Sequence, residues 1–142
     1  MTRCILTGKW IQLGEAARSV RDAVFIQEQG ISEDLEHDIR DAIFDHVVVF
    51  VKQHSIATGR IDSEGKIGRV AVLPPFRRKG HGKAVMEALE MVAREKHFSE
   101  VFVHAQSEAV PFYLQLGYRL DAGTFFEARI LHQRMRKLLM PL

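Results

Sequence analysis

The chain has 142 residues, with 20 Lys and Arg against 18 Asp and Glu, 46% hydrophobic residues and a single Cys, which suits one compact domain that needs no disulfide or metal staple. Ten Gly and four Pro without a biased tract exclude collagen-like and disordered classes. The longest apolar run, residues 47–51, falls far short of the roughly 18 residues of a membrane span, and the absence of an apolar leader at the start predicts a cytoplasmic protein.

In chain order, Cys4 and Ile5 suggest a short strand, and residues 15–29 place Ala16, Val20, Ala23, Val24 and Gln27 at helical spacing. Residues 30–38 are acidic and loop-like. Residues 46–51 are β-branched and nearly continuous, as expected of a strand covered on both faces. Residues 55–61 and 66–73 complete a meander that ends at Pro74 and Pro75. Residues 83–96 carry Val85, Leu89 and Val92 on one stripe and form the clearest helix. A strand is predicted at 100–105, then a short helix capped by Ser107 and closed by Gly117. Two strands are predicted within 118–136, around a turn at 121–123.

The richest local chemistry is Arg77-Arg78-Lys79-Gly80-His81-Gly82-Lys83, between a strand and a helix. Two glycines let backbone amides approach a ligand closely, and the unpaired amides of a helix start favour an anion. Four cations surround them, a combination suited to a pyrophosphate; a solvated turn with surface charges is the plain alternative. A Walker A loop is excluded because Lys83 is followed by Ala84 rather than a hydroxyl residue. A dinucleotide fingerprint would need Gly or Ala at Val85 and an early βαβ unit, whereas an antiparallel meander precedes this turn.

Arg77-x-x-Gly80-x-Gly82, preceded by Arg69 to Val72 and followed by an amphipathic helix, resembles the acyl-CoA pyrophosphate loop of the GNAT superfamily of N-acetyltransferases. Ala109-Val-Pro-Phe-Tyr113-Leu-Gln-Leu-Gly117-Tyr118 is similar to a second motif of that superfamily, in the expected order. The likeness narrows to the small bacterial ElaA-type branch through Phe25 to Gly30, Glu36-x-Asp38-x-x-Asp41, His46, Ile67 to Val70, His104 to Gln106 and Phe125 to His132. Arg129 departs from that branch, which usually has Gly there, and so does Leu131, often Pro.

The resemblance implies a mixed, mainly antiparallel α/β sheet flanked by helices, in a single domain spanning residues 1–142. It also implies direct transfer of an acetyl group from acetyl-CoA to an amine. The backbone of Val70, Ala71 and Val72 would engage the thioester carbonyl and the pantetheine arm. Arg77, Arg78, Lys79, Gly80, His81, Gly82 and Lys83 would hold the phosphates, and Tyr113 would contact the cofactor and serve the departing thiolate as an acid. Glu28 is the leading candidate for the base. Glu36, Asp38, His104 and His132 are the alternatives, and the acidic segment 33–41 is a candidate approach for a cationic acceptor.

Cys4 has no adjacent His, so a thiol intermediate lacks support. The seven His form no zinc-ligand pattern, and no metal is expected. The partners expected are acetyl-CoA and an amine, without membrane or nucleic acid, and a homodimer is compatible with the chain. A non-catalytic acyl-CoA-binding module is the competing reading.

Overall fold

The computed structural model describes residues 2–142. Strand β1 (Arg3–Lys9) leads directly into helix α1 (Trp10–Arg21), which continues as a π-helix (Asp22–Glu28). A short helix α2 (Glu33–Glu36) and a 3-10 turn (Ile39–Ala42) precede β2 (Asp45–Val51), β3 (His54–Ile61) and β4 (Lys66–Val72). Helix α3 (His81–Glu95), β5 (Glu100–Gln106), α4 (Val110–Gln115), β6 (Arg119–Glu127) and β7 (Ile130–Leu138) complete the chain.

The seven strands form one sheet in the order β1-β2-β3-β4-β5-β7-β6. Every neighbouring pair is antiparallel except β4 with β5. That pair is parallel because α3 forms the crossover between its strands. The sheet is covered on both faces. Val47 and Val49 join the cluster containing Val85, Met86 and Leu89 of α3, whereas Val48 packs with Leu13 and Ala17 of α1. The strand alternation therefore sends successive valines to opposite helices, which explains the unbroken apolar run of β2.

Gly59 of β3 permits α3 to seat closely. A Cβ added there would lie 2.7 Å from a Val85 methyl and 3.0 Å from a Leu89 methyl.

Several local expectations need correction. The first helix starts at Trp10 rather than at residue 15, with the Lys9 amide donating to the Gln12 side chain at 3.2 Å. Ile11 is almost fully exposed, so the apolar stripe does not mark this start. The first strand runs through Lys9, but its largely exposed residues supply no alternation to read. The third helix begins at His81, ahead of the expected residue 83. Ser107 makes no capping bond; it opens a 3-10 turn ahead of α4.

The last hairpin turns at Ala128 and Arg129, not at residues 121–123. Both turn residues have positive φ, 49° and 65°, the handedness that matches the twist of a tight hairpin. Residues 121–123 instead absorb a register shift between Leu120 and Thr124.

Candidate active site

Strands β4 and β5 pair at only two positions, Lys66 with Phe102 and Ile67 with Val103. From Gly68 and His104 onward they part. The β3–β4 register shows the local cause: Thr58 faces Ala71 and Arg60 faces Gly68, so Arg69 and Val70 together oppose Gly59. This is a β-bulge, with Arg69 at φ 52°, and a bulged residue drops out of the ladder and re-aims its neighbours. A cavity of about 370 Å³ occupies the gap, lined among others by Gly68, Val70, His104, Gln106 and Tyr113.

Tyr113 lies on α4, beyond β5, and is 8% exposed. Its ring packs edge-on against Phe112 and Tyr118, with centroids 5.0 and 5.6 Å away. Burial pushes its phenol well above the ordinary value, so it stays neutral and retains a proton to donate. Tyr118 has a different task. Its hydroxyl donates to buried Glu90 at 2.7 Å, and Lys137 donates to the other Glu90 oxygen at 3.0 Å.

β4 runs on through a Pro74–Phe76 3-10 turn into the basic glycine turn. Gly80 caps α3 with φ 85°, and a Cβ there would meet nothing within 4 Å. Gly82 differs, since a Cβ on it would press on the Phe112 ring at 3.2 Å. The first of these residues thus sets the turn and the second lets α3 approach α4. Arg78, Lys79 and Lys83 are exposed and make no ion pair among the described residues. The amides at the head of α3 lie beside these free cations, an arrangement fitted to an anion.

Arg77 is committed to the protein. Its Nε donates to the Val72 carbonyl at 2.9 Å, and its two terminal nitrogens donate to both Glu28 oxygens at 2.8 and 2.6 Å. The pair ties the π-helix to the glycine turn. His81 turns its side chain inward, 5% exposed, with Nδ1 3.3 Å from Arg3 and Nε2 without a hydrogen-bond partner among the described residues. Burial, then Arg3 and Lys79, holds its pKa below the ordinary value. Only its backbone belongs to the turn's outer surface. Arg3, brought in from β1, escapes a reading of local motifs.

The carboxylates considered as bases are engaged elsewhere. Glu28 has both oxygens on Arg77, and those hydrogen bonds hold its carboxyl below the ordinary range, opposite to the shift that favours taking a proton. Glu36 and Asp41 are each 2% exposed. Arg21 donates to Glu36 at 3.0 Å and to both Asp41 oxygens at 3.0 Å. Arg69 reaches Glu36 at 2.8 Å, and Arg60 bridges Asp41 at 2.7 Å and Asp38 at 3.0 Å. Burial alone would raise the Asp38 and Asp41 carboxyls, but the guanidiniums beside them override it and hold both low. Glu36, Asp38 and Asp41 are therefore counterions of Arg21, Arg40, Arg60 and Arg69, whereas Glu33 and Asp34 are exposed and make no ion pair among the described residues.

Two histidines remain in the cavity wall. His104 Nδ1 lies 2.7 Å from Glu127 Oε1. His132 Nδ1 lies 2.7 Å from its own hairpin's Ile130 carbonyl, and its ring stacks on Phe125. The His104–Glu127 pair joins β5 to the far strand β6, a juxtaposition with no local sequence signal. Gln29 and Gln106 exchange hydrogen bonds at 3.2 and 2.9 Å, linking the π-helix's end to β5.

Comparison with known proteins identifies the family. Residues 14–139 match the family model described as an acetyltransferase (GNAT) domain. The uncharacterized N-acetyltransferase YjcF of Bacillus subtilis is 37% identical over 122 residues, covering 83% of this chain and 87% of that protein. The crystal structure of an acyl-CoA N-acyltransferase from Pseudomonas aeruginosa superposes with a TM-score of 0.84 at 24% identity, covering 96% of this chain and 99% of that one. Escherichia coli ElaA superposes at 0.82 with 21% identity, over 96% and 99% of the two chains. The split sheet, the glycine turn heading α3 and these matches lead to one assignment: the chain belongs to the GNAT acetyltransferase family and is an acyltransferase.

Proposed function

We propose that this protein transfers an acetyl group from acetyl-CoA directly to a primary amine of a small molecule or a peptide. The observation that carries this reading is the parted β4–β5 seam, where the bulged strand and the buried Tyr113 phenol line one cavity and β4 leads onward into the basic turn.

In this reading, the backbone of Gly80, His81, Gly82 and Lys83, with the side chains of Arg78, Lys79 and Lys83, holds the pyrophosphate. Arg77 keeps the turn in shape through Val72 and Glu28. The backbone of Val70, Ala71 and Val72, along the edge that β5 leaves open, engages the amide-bearing arm and polarises the thioester carbonyl, the place where preorganised donors lower an acyl-transfer barrier most. Tyr113 donates a hydrogen bond to the sulfur as its charge develops. Its burial serves that task, because a donor held neutral in a dry site needs no reorganisation when the anion forms.

The test is thiol release from acetyl-CoA across a panel of amino acids, polyamines and peptides, with mass spectrometry locating the acetyl group. Tyr113→Phe is expected to lower kcat about 10²-fold while calorimetric affinity for acetyl-CoA stays as in wild type. Binding of acetyl-CoA without turnover of any amine above hydrolysis would overturn the proposal.

A further inference from the structure

From the cavity wall we infer that His104, oriented by Glu127, is the group that takes the proton from the acceptor amine. The inference rests on the acetyl-transfer reading and names a part that reading leaves open.

Three observations carry it. First, His104 sits at the position on β5 where pairing with β4 stops, so its ring is placed beside the opening that also exposes Val70 and Tyr113. Second, the ring is held on several sides. Phe125 packs edge-on at 5.0 Å, Phe102 lies at 6.0 Å, and Glu127 Oε1 lies 2.7 Å from Nδ1.

Third, the chemistry of the pair selects the tautomer. An ionised carboxylate only accepts hydrogen bonds, so Nδ1 carries the proton and donates it to Glu127. The lone pair is left on Nε2, which has no hydrogen-bond partner among the described residues and is not sealed from solvent. When Nε2 takes a proton, Glu127 is already in place to stabilise the imidazolium. His132 lacks that support, since its Nδ1 is satisfied by a neutral carbonyl. The charged groups bordering the same cavities are Arg40, Arg60 and Arg69, paired with Asp38, Asp41 and Glu36, then Asp62 and Glu64 of the β3–β4 turn, and Lys66 of β4, which has no ion-pair partner among the described residues; Arg134 of β7, opposite His104 in the register, is paired with Asp121.

Nε2 removes one proton from the bound ammonium and releases it to solvent, leaving a neutral amine. The nitrogen lone pair then forms the C–N bond, the C–S bond breaks, and its electron pair departs on sulfur beside the Tyr113 hydroxyl. The second nitrogen proton passes through Nε2 and solvent to sulfur. One ammonium and one acyl thioester thus become one amide, one thiol and one free proton.

The experiment compares wild type, His104→Gln, Glu127→Gln and His132→Gln in the full-length chain, using acetyl-CoA and the amine panel described above from pH 6 to 10. His104→Gln is expected to lose at least about 10²-fold in kcat at pH 7 with acetyl-CoA affinity unchanged, and the loss should shrink toward pH 10, where the amine deprotonates unaided. Glu127→Gln should lose roughly tenfold and displace the acidic limb of the pH profile. Long-range ¹H–¹⁵N spectra of the protein without acetyl-CoA should show His104 protonated on Nδ1 in the neutral ring.

A His104→Gln enzyme as active as wild type, a loss equal at every pH, or the pH-dependent loss appearing in His132→Gln instead would overturn the assignment while leaving acetyl transfer intact. A wild-type protein that acetylates no amine overturns both.

Discussion

Arg21 is 1% exposed yet charged, and its guanidinium is enclosed by Glu36 and Asp41 with Trp10 beneath it at 5.3 Å. Taking such groups out of water costs several kcal/mol per ion, and only a complete set of partners offsets that cost. Removing one partner is then worse than removing a surface pair. Asp41→Ala leaves Arg21 and Arg60 short of a carboxylate, and is expected to destabilise by about 3–5 kcal/mol in urea unfolding. Arg40→Ala, whose guanidinium lies at the surface end of the network against Asp38, is expected to stay within about 1 kcal/mol. The contrast explains why charge in this stretch misleads a reader of the sequence. Glu36-x-Asp38-x-x-Asp41 resembles a solvated acidic loop, but besides the local Arg40 its counterions come from positions 21, 60 and 69, on three separate elements.

At the scale of elements, periodicity identifies the buried pieces and fails at the exposed or irregular ones. The stripe of α3 and the apolar run of β2 were legible because both faces of the sheet are covered there. The π-helix has the sequence pattern of an ordinary helix, since Val24 and Phe25 still fall inward and the wider hydrogen bonding leaves no compositional trace. The final turn was misplaced because Asp121 to Gly123 has turn chemistry, whereas Ala128 and Arg129 do not. That misplacement has an energetic counterpart. Left-handed backbone costs an L-residue about 1–2 kcal/mol, so Arg129→Gly is expected to stabilise the protein by about 0.5–1 kcal/mol after the added chain entropy of glycine. A rise in the urea midpoint would show it. Of the candidate site, the glycine turn and Tyr113 were legible because each lies inside a contiguous motif, while the pairing of His104 with Glu127 depends on β6 folding back across β7.

For the whole molecule, pH acts through two separate sets of groups. Burial lowers the pKa of His46 and of His81, so the unfolded chain binds those protons more readily and stability declines as pH falls below about 6.5. Asp38 and Asp41 have depressed folded pKa values. Their contribution is therefore complete above about pH 4 and lost as pH falls further. Urea midpoints measured from pH 8 to 3 should show a gentle slope and then a steep one, and His46→Gln should reduce the first, leaving the part due to His81, while keeping the second.

The parted seam also has a mechanical meaning. With only two paired positions joining β4 to β5, the sheet consists of a four-stranded plate and a three-stranded plate that share one short weld. Helix α3 and the glutamine clasp between residues 29 and 106 act as braces across the joint. An acyl-carrying arm that ran along the opening would complete the missing rungs from outside, stiffening the protein at the line where its own backbone leaves it weakest.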